Sequence, residues 1–336
     1  MKFIQHATDG RIESMRLADG LAPQPAAGDI LIEVSYAGVN RPDLLQRAGL
    51  YPPPPDASPI LGLEVAGRVA ALGSGVKGWQ VGDRVAALTP GGGYAEYCLA
   101  AADHALPVAA GVDLAIAAAL PEAWFTVWAN LVELGRLRQG ERLLIHGGSS
   151  GIGLAALELA RHLGVETFVT VGNAEKAAFC RAFGAHHVIE YRQEDFLERI
   201  RDLTAGEGVD VVLDMVGGDY LQKDIRALRH DGRLLMIAFL AGSKTSFDFM
   251  PVMMKRLTLT GSTMRARSRA EKTTLRNALQ ETVWPKLMSG ALKTHLAARY
   301  PLAQAADAHR LMESSQHIGK IVLQVSTAGD REGMSA

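Results

Sequence analysis

The chain has 336 residues, a length that suggests two domains, and its 35 Lys/Arg against 36 Asp/Glu leave a net charge of −1. No general field therefore favours nucleic acid or an anionic lipid surface. Hydrophobic residues make up 48%, enough for ordinary cores. No apolar run approaches a membrane span, and the N-terminus lacks the basic and apolar regions of a signal peptide, so a cytoplasmic protein is expected.

In chain order, residues 29–39 and 63–72 carry β-rich, partly alternating runs, with the tetraproline 52–55 between them. Gly82-Asp83-Arg84-Val85 and residues 91–97 suggest turns between further short strands, so the first third reads as a compact β-rich domain. Cys98 and Cys180, the two cysteines, lie far apart and read as reduced, small apolar residues.

From about residue 120 the character changes. Residues 143–153 (LLIHGGSSGIG) read as a buried strand, a glycine-rich turn and the start of a helix running to residue 163. Such a turn lets backbone N–H groups and the positive end of a helix meet a pyrophosphate, although a tight turn needs glycine even where nothing binds. The downstream sequence decides. Strands are predicted over 167–171, 187–191, 209–216, 233–239 and 257–262, with helices over 174–183, around 196–203 and around 221–228. Strands alternating with helices, the strand at 209–216 almost wholly apolar, predict a doubly wound parallel sheet that binds a dinucleotide. Residues 317–325 are again strand-like and could return to the first domain, whereas 326–336 are polar, rich in small residues and expected to fray.

Further short segments carry a resemblance. They are Gly38-Val39-Asn40-Arg41-Pro42-Asp43, residues 47–54 (RAGLYPPP), 60–64 (ILGLE), 82–85, 90–97, Pro121-Glu122-Ala123-Trp124, 145–153 and 318–322. In this order and spacing the chain resembles zinc-free medium-chain dehydrogenases/reductases of the zeta-crystallin-like quinone oxidoreductase group. It is especially similar to the branch containing the tumour-suppressor-inducible quinone oxidoreductase. The resemblance implies an α/β architecture: a GroES-like catalytic domain (1–119, completed by 265–328), a Rossmann domain (120–264) and a tail (329–336). It also implies an active cleft between the domains and a homodimer formed near 257–262.

Zinc chemistry is disfavoured. Catalytic zinc needs about three Cys, His or carboxylate ligands meeting at a point, and structural zinc often needs four cysteines. The stretch 37–43, where relatives with zinc often place a cysteine ligand, has neither Cys nor His. His186-His187 reads as a solvated turn at a helix-to-strand junction, so no metal is expected.

NADPH is favoured over NADH, because an NAD-specific domain usually ends its second strand in Asp or Glu. Here that strand ends Thr170-Val171-Gly172-Asn173, with Lys176 one helical turn on and Tyr191 ending the next strand. Gly172 and Asn173 leave room for a 2′-phosphate, Lys176 can neutralise it, and Tyr191 can donate to it, although Glu175 tempers the potential. The family uses the equivalent lysine and tyrosine for NADPH.

A hydride acceptor must be positioned and polarised. By resemblance Tyr51 contacts the acceptor, and Asn40 and Asp43 line the nicotinamide and ribose side, although Asp43 could instead cap a helix. Thr126 would lie near the nicotinamide, and Ser150, Gly151 and Ile152 would meet the pyrophosphate. Phe239 and Leu240, just past a strand end, fit the crevice where such domains bind ligands. Met264, Arg265 and Lys320 are further carry-overs. No dedicated general acid emerges, and water could supply the proton.

Other readings are weighed against this one. A short-chain dehydrogenase fits the glycine spacing but requires Tyr-x-x-x-Lys, which none of the seven tyrosines provides. An enone or enoyl reductase on the same scaffold stays open, because acceptor choice rests on cleft shape. An NADPH sensor or RNA-binding relative would rely on Arg265, Arg267, Arg269 and Lys272, read first as a solvated helix entrance. Near-neutral charge argues against general nucleic-acid affinity.

Overall fold

A computed structural model describes residues 1–7 and 9–326. The expected tail, 329–336, lies outside the described residues. Contacts divide the chain into one unit of Met1–Phe125 with Arg265 onward, and a second of Thr126–Met264.

The first unit begins with the strands β1 (Lys2–Gln5), β2 (Arg16–Asp19) and β3 (Asp29–Val39), then helix α1 (Arg41–Arg47). Next come β4 (Glu64–Leu72), β5 (Arg84–Leu88), β6 (Tyr97–Ala101), β7 (Ala105–Pro107) and the helices α2 (Leu114–Ala117) and α3 (Pro121–Val127). The alternating β3 run places Ile30, Ile32 and Val34 in an apolar core with Val65, Val85 and Leu61.

The second unit carries β8 (Arg142–His146), α4 (Gly151–Leu163), β9 (Glu166–Val171), α5 (Ala174–Phe183), β10 (His187–Glu190) and α6 (Phe196–Leu203). It continues through β11 (Val209–Asp214), α7 (Tyr220–Ala227), β12 (Leu228–Met236), α8 (Met250–Met254) and β13 (Thr258–Gly261). These six strands pair in parallel in the order β10-β9-β8-β11-β12-β13. Neighbours of β8 therefore lead away in opposite directions, and β8 and β11 flank the point where strand order reverses, which is where ligands of such sheets bind. All six residues of β11 are buried, in keeping with cover on both sheet faces.

The chain then returns to the first unit through α9 (Arg269–Thr282), α10 (Trp284–Met288), β14 (Leu296–Pro301), α11 (Ala305–Ser314) and β15 (Lys320–Gln324). The seven-stranded sheet runs β14-β15-β3-β4-β5-β7, with β6 also paired to β3. The return of the C-terminal strand is thus observed as an antiparallel β15–β3 pairing.

Three expectations are corrected. One helical stretch, Leu114–Leu134, has the 21 residues and mean hydropathy of 1.3 that could cross a bilayer, but 72% of its apolar window is buried within the protein. Apolarity here serves a core. Of the two histidines read as a solvated turn, His186 is exposed as expected, with its Nδ1 3.0 Å from Thr167 Oγ1, but His187 is part-buried, reaching Glu166 at 2.8 Å and stacking on Phe168. Nor is the basic run solvated throughout, although Arg269 at the helix start is exposed. Arg265 and Lys272 are buried, and Arg269 pairs with Asp103 and Asp29.

Candidate active site

In the first unit, α1 starts at Asn40, whose backbone N–H donates to Asp43 Oδ2 at 2.8 Å across one turn. Asn40 is thereby fixed with its side chain on Glu64: Nδ2 donates to Oε1 at 2.8 Å, and Lys320 Nζ donates to both Asn40 Oδ1 and Glu64 Oε1 at 2.5 Å. The backbone N–H of Glu122, in the first turn of α3, donates to Glu64 Oε2 at 2.8 Å. Glu64 is fully enclosed, so its charge is held by one cation, one amide and one backbone donor rather than by water.

Asp43 is likewise enclosed, with Gly62 N–H donating to Oδ1 at 3.0 Å and Tyr94 O–H to Oδ2 at 3.2 Å. Burial pushes its carboxyl up to about 6, against the pull of these donors and of Lys320. The expected approach of Asp43 to a nicotinamide or ribose is therefore corrected: its oxygens are occupied within the unit and it positions Asn40. Behind it the hydrogen-bond direction is set by Arg47, which can only donate. Arg47 Nη1 donates to His309 Nδ1 at 3.0 Å, so His309 Nε2 carries the proton and donates to Tyr94 Oη at 3.1 Å. Burial first, then Arg47, holds His309 down to about 3, keeping it neutral.

Tyr51, part-buried, lies with its ring under the Arg265 guanidinium at 5.6 Å. Arg265 also donates to Pro90 O and Gln46 Oε1, both at 2.8 Å. Burial first, then the neighbouring Glu122 charge, raises the Tyr51 phenol above its ordinary value. Lys320 is therefore a structural cation of this cluster, whereas Arg265 donates through Nε and Nη1 and leaves its buried Nη2 without a partner among the described residues. A zinc ion does not fit here, because the carboxylates are saturated by donors and the Lys320 ammonium already neutralises Glu64.

In the second unit, the side chain of Ser150 caps α4 by accepting from Gly153 N–H at 3.0 Å. A Cβ on Gly153 would lie 2.4 Å from Gly147 O and 2.5 Å from Gly148 O, so only glycine lets this turn fold against the helix. Gly151 and Ile152 open the helix, part-buried, with the first-turn N–H groups available to an anion. At the end of β9, Asn173 caps α5 through Lys176 N–H at 2.9 Å. A Cβ on Gly172 would come within 3.0 Å of Tyr191 Oη. Burial, and next to it the charge of Arg192, holds Lys176 below the ordinary ammonium range. Arg192 was missed from the sequence, although it directly follows Tyr191. Gly172, Asn173, Lys176, Tyr191 and Arg192 thus form one polar, cationic corner.

Elsewhere in this unit, Thr126 O accepts from Asn130 Nδ2 at 2.9 Å, Phe239 and Leu240 are exposed just beyond β12, and Met264 is buried. Beneath the glycine-rich turn sits a cluster the sequence did not announce. His146 Nε2 meets Asp224 Oδ1 at 2.8 Å, Nδ1 meets Thr170 Oγ1 at 3.0 Å, and the ligand atoms of His146, Asp214 and Asp224 lie within 4.8 Å of one another. The His–Asp contact is direct, and although burial favours the neutral imidazole, the Asp224 charge raises the pKa of His146. The cysteines fall one in each unit, both buried, and burial pushes their thiols up, to about 12 for Cys98 and about 11 for Cys180.

Two family profiles match the chain: one described as alcohol dehydrogenase GroES-like domain over residues 26–110, and one described as zinc-binding dehydrogenase over 151–281. A quinone oxidoreductase of Rattus norvegicus is 31% identical over 328 residues, which cover 96% of this chain and 97% of that protein. The chain belongs to the medium-chain dehydrogenase/reductase family. Within it, the chain is similar to quinone oxidoreductases. It superposes on the Escherichia coli quinone oxidoreductase complexed with NADPH at a TM-score of 0.86 and 32% identity, covering 97% of this chain and all of that one. It superposes equally on the CurK enoyl reductase, at a TM-score of 0.86 and 28% identity over 97% and 99% of the two chains. A mycocerosic acid synthase-like polyketide synthase of Mycobacterium tuberculosis is 33% identical over 327 residues. The match takes in 97% of this chain but only 15% of that much longer protein.

Proposed function

We propose that the chain is an NADPH-dependent, metal-independent reductase that delivers a hydride to a quinone, with ortho-quinones favoured. The observation that carries the cofactor choice is the corner at the end of β9, where Lys176 and Arg192 stand in place of the acid that would accept hydrogen bonds from a ribose 2′-hydroxyl. Ser150, Gly151 and Ile152 hold the pyrophosphate; Gly172, Asn173, Lys176, Tyr191 and Arg192 hold the 2′-phosphate; Thr126, Phe239, Leu240 and Met264 serve the nicotinamide end. When bound, NADPH supplies the hydride. Tyr51 and Asn40 orient the acceptor, and Arg265 fixes the Tyr51 ring. Likeness to quinone oxidoreductases supports the acceptor class.

The deciding measurement follows absorbance at 340 nm with NADPH or NADH against ortho-quinones, para-quinones and enones. Preference for NADPH and quinones supports the reading. Activity confined to enones favours the second reading, an enone reductase, which the likeness to the CurK enoyl reductase keeps in view. Lys176→Ala is expected to weaken NADPH binding about ten- to a hundredfold, the worth of a charge-assisted hydrogen bond of roughly 1.5–3 kcal/mol. NADH affinity stays unchanged. An equal loss for both cofactors would mean that Lys176 does not read the 2′-phosphate.

A second copy of the chain is the proposed partner, joined at β13. This strand pairs on one side only and so offers an open edge. Nearby on the same sheet's connections, Phe249, Met250, Met253 and Met254 are each more than half exposed. Sedimentation equilibrium is expected to give a dimer for the wild type and a monomer for Met253→Glu/Met254→Glu; a wild-type monomer rules the pairing out.

A further inference from the structure

In the first unit, the connection between β4 and β5, the end of β7 and one face of α9 line a cleft of about 760 Å³. That volume suits a small organic molecule. Every residue lining the cleft belongs to the first unit, whereas the glycine-rich turn belongs to the second.

Helix α9 gives Arg269, Arg276 and Gln280 to the lining, at a spacing that sets them on one helix face. This wall is fixed to the sheet. Arg276 Nε donates to Ala105 O of β7 at 2.8 Å, and the indole N–H of Trp284, which opens α10, donates to Pro107 O at 2.6 Å. Trp79, in the connection from β4, is part-buried, and its own indole N–H donates to Ala102 O at 3.1 Å. The Trp79 ring is thereby held in place in the cleft lining.

Charge in the cleft is unbalanced. Asp103 pairs with Arg269 at 3.0 Å, and Asp83 accepts from Gln80 N–H at 2.7 Å. Lys77 and Arg276, by contrast, have no carboxylate within ion-pair distance among the described residues. Lys77 is exposed between Gly75 and Gly78. Arg276 Nη1 donates to Asn277 Oδ1 at 3.0 Å, and its Nη2 takes no hydrogen bond among the described residues. With the guanidinium clamped through Nε, Nη2 is a charged donor whose side-chain freedom is already lost before any ligand arrives.

We propose that this cleft binds a small aromatic anion, its flat ring against Trp79 and its phosphate or carboxylate on Arg276 and Lys77. Stacking on an indole accepts any flat ring, and a guanidinium matches the oxygens of either anion, so shape and charge set the ligand class. The site is independent of the reading of the chain as a reductase.

Calorimetric titration of the full chain, without and with NADP+, tests it. The probes are 1-naphthyl phosphate, 1-naphthoate, uncharged 1-naphthol and ringless inorganic phosphate. One of the two naphthyl anions should bind once per chain, and the tighter of the two identifies the head group. Naphthol and inorganic phosphate, each lacking one half of the ligand, should bind at least about tenfold more weakly. Arg276→Gln should weaken the anion about ten- to a hundredfold, and Lys77→Ala, at an exposed turn, about two- to fivefold. Neither should alter naphthol binding. Trp79→Leu should weaken every ring-bearing probe about tenfold. Trp79 also packs on the apolar core, and the two cation variants keep the test decisive should that variant unfold. No binding at millimolar concentration overturns the proposal. So does binding that Arg276→Gln and Lys77→Ala leave unchanged, or that NADP+ or Lys176→Ala abolishes, since the anion would then sit in the second unit.

Discussion

Lys320→Met is expected to cost about 3–5 kcal/mol of stability, the penalty for removing one partner of a buried ion pair and stranding the other charge. Glu64 has no exposed surface, and with the ammonium gone its carboxylate keeps only the Asn40 amide and the Glu122 N–H. The double variant Lys320→Met/Glu64→Gln should recover most of the loss, because no buried charge then remains to be compensated. Urea unfolding of the wild type, both single variants and the double variant closes the cycle. A Lys320→Met protein within 1 kcal/mol of wild type would mean that the pair is solvated like a surface bridge.

The second large effect lies in the other unit and depends on pH. Burial alone would drive His146 towards its neutral form, but Asp224 and then Asp214 outweigh that, and its pKa is raised above the ordinary 6.5. A raised histidine contributes stability that is fully present below pH 6.5 and is lost as pH rises through its folded value. Asp224→Asn removes the direct counter-charge at 2.8 Å while preserving shape. Near pH 6 the variant should lose about 3–5 kcal/mol, as for other broken buried pairs. As pH rises through the raised folded value and the wild-type imidazole gives up its proton, the difference should shrink markedly. Asp214 remains nearby, and burial pushes it up to about 6, so it replaces Asp224 only in part. Urea unfolding on either side of the folded His146 value decides, and an equal loss at each would show that the imidazole is never charged in the folded protein.

These clusters differ in how far they could be read from residues alone. The turn at 143–153 was legible because strand, glycines and helix follow one another without interruption, and Gly153 answers a local demand: two carbonyls of its own turn leave no room for a Cβ. The cationic corner was legible as far as Lys176 and Tyr191. Arg192 was overlooked because its charge matters only once β9 and β10 pair side by side. Asp43 was misassigned for a related reason. Its place in a shared motif signalled importance, but not that Gly62 and Tyr94 would close over both its oxygens.

By itself, then, the sequence determined the alternation of strand and helix, the parallel six-stranded sheet and the β-rich first unit. Those follow from hydrophobic period and turn chemistry, which act over a few residues. Only the tertiary structure decided which ionisable groups are sealed and which stay open. Lys320 meets Asn40 across 280 residues, and Arg47 meets His309 across 262. The charge state of a carboxyl depends on the solvent and counter-charges around it, and both are set by chain distant in sequence.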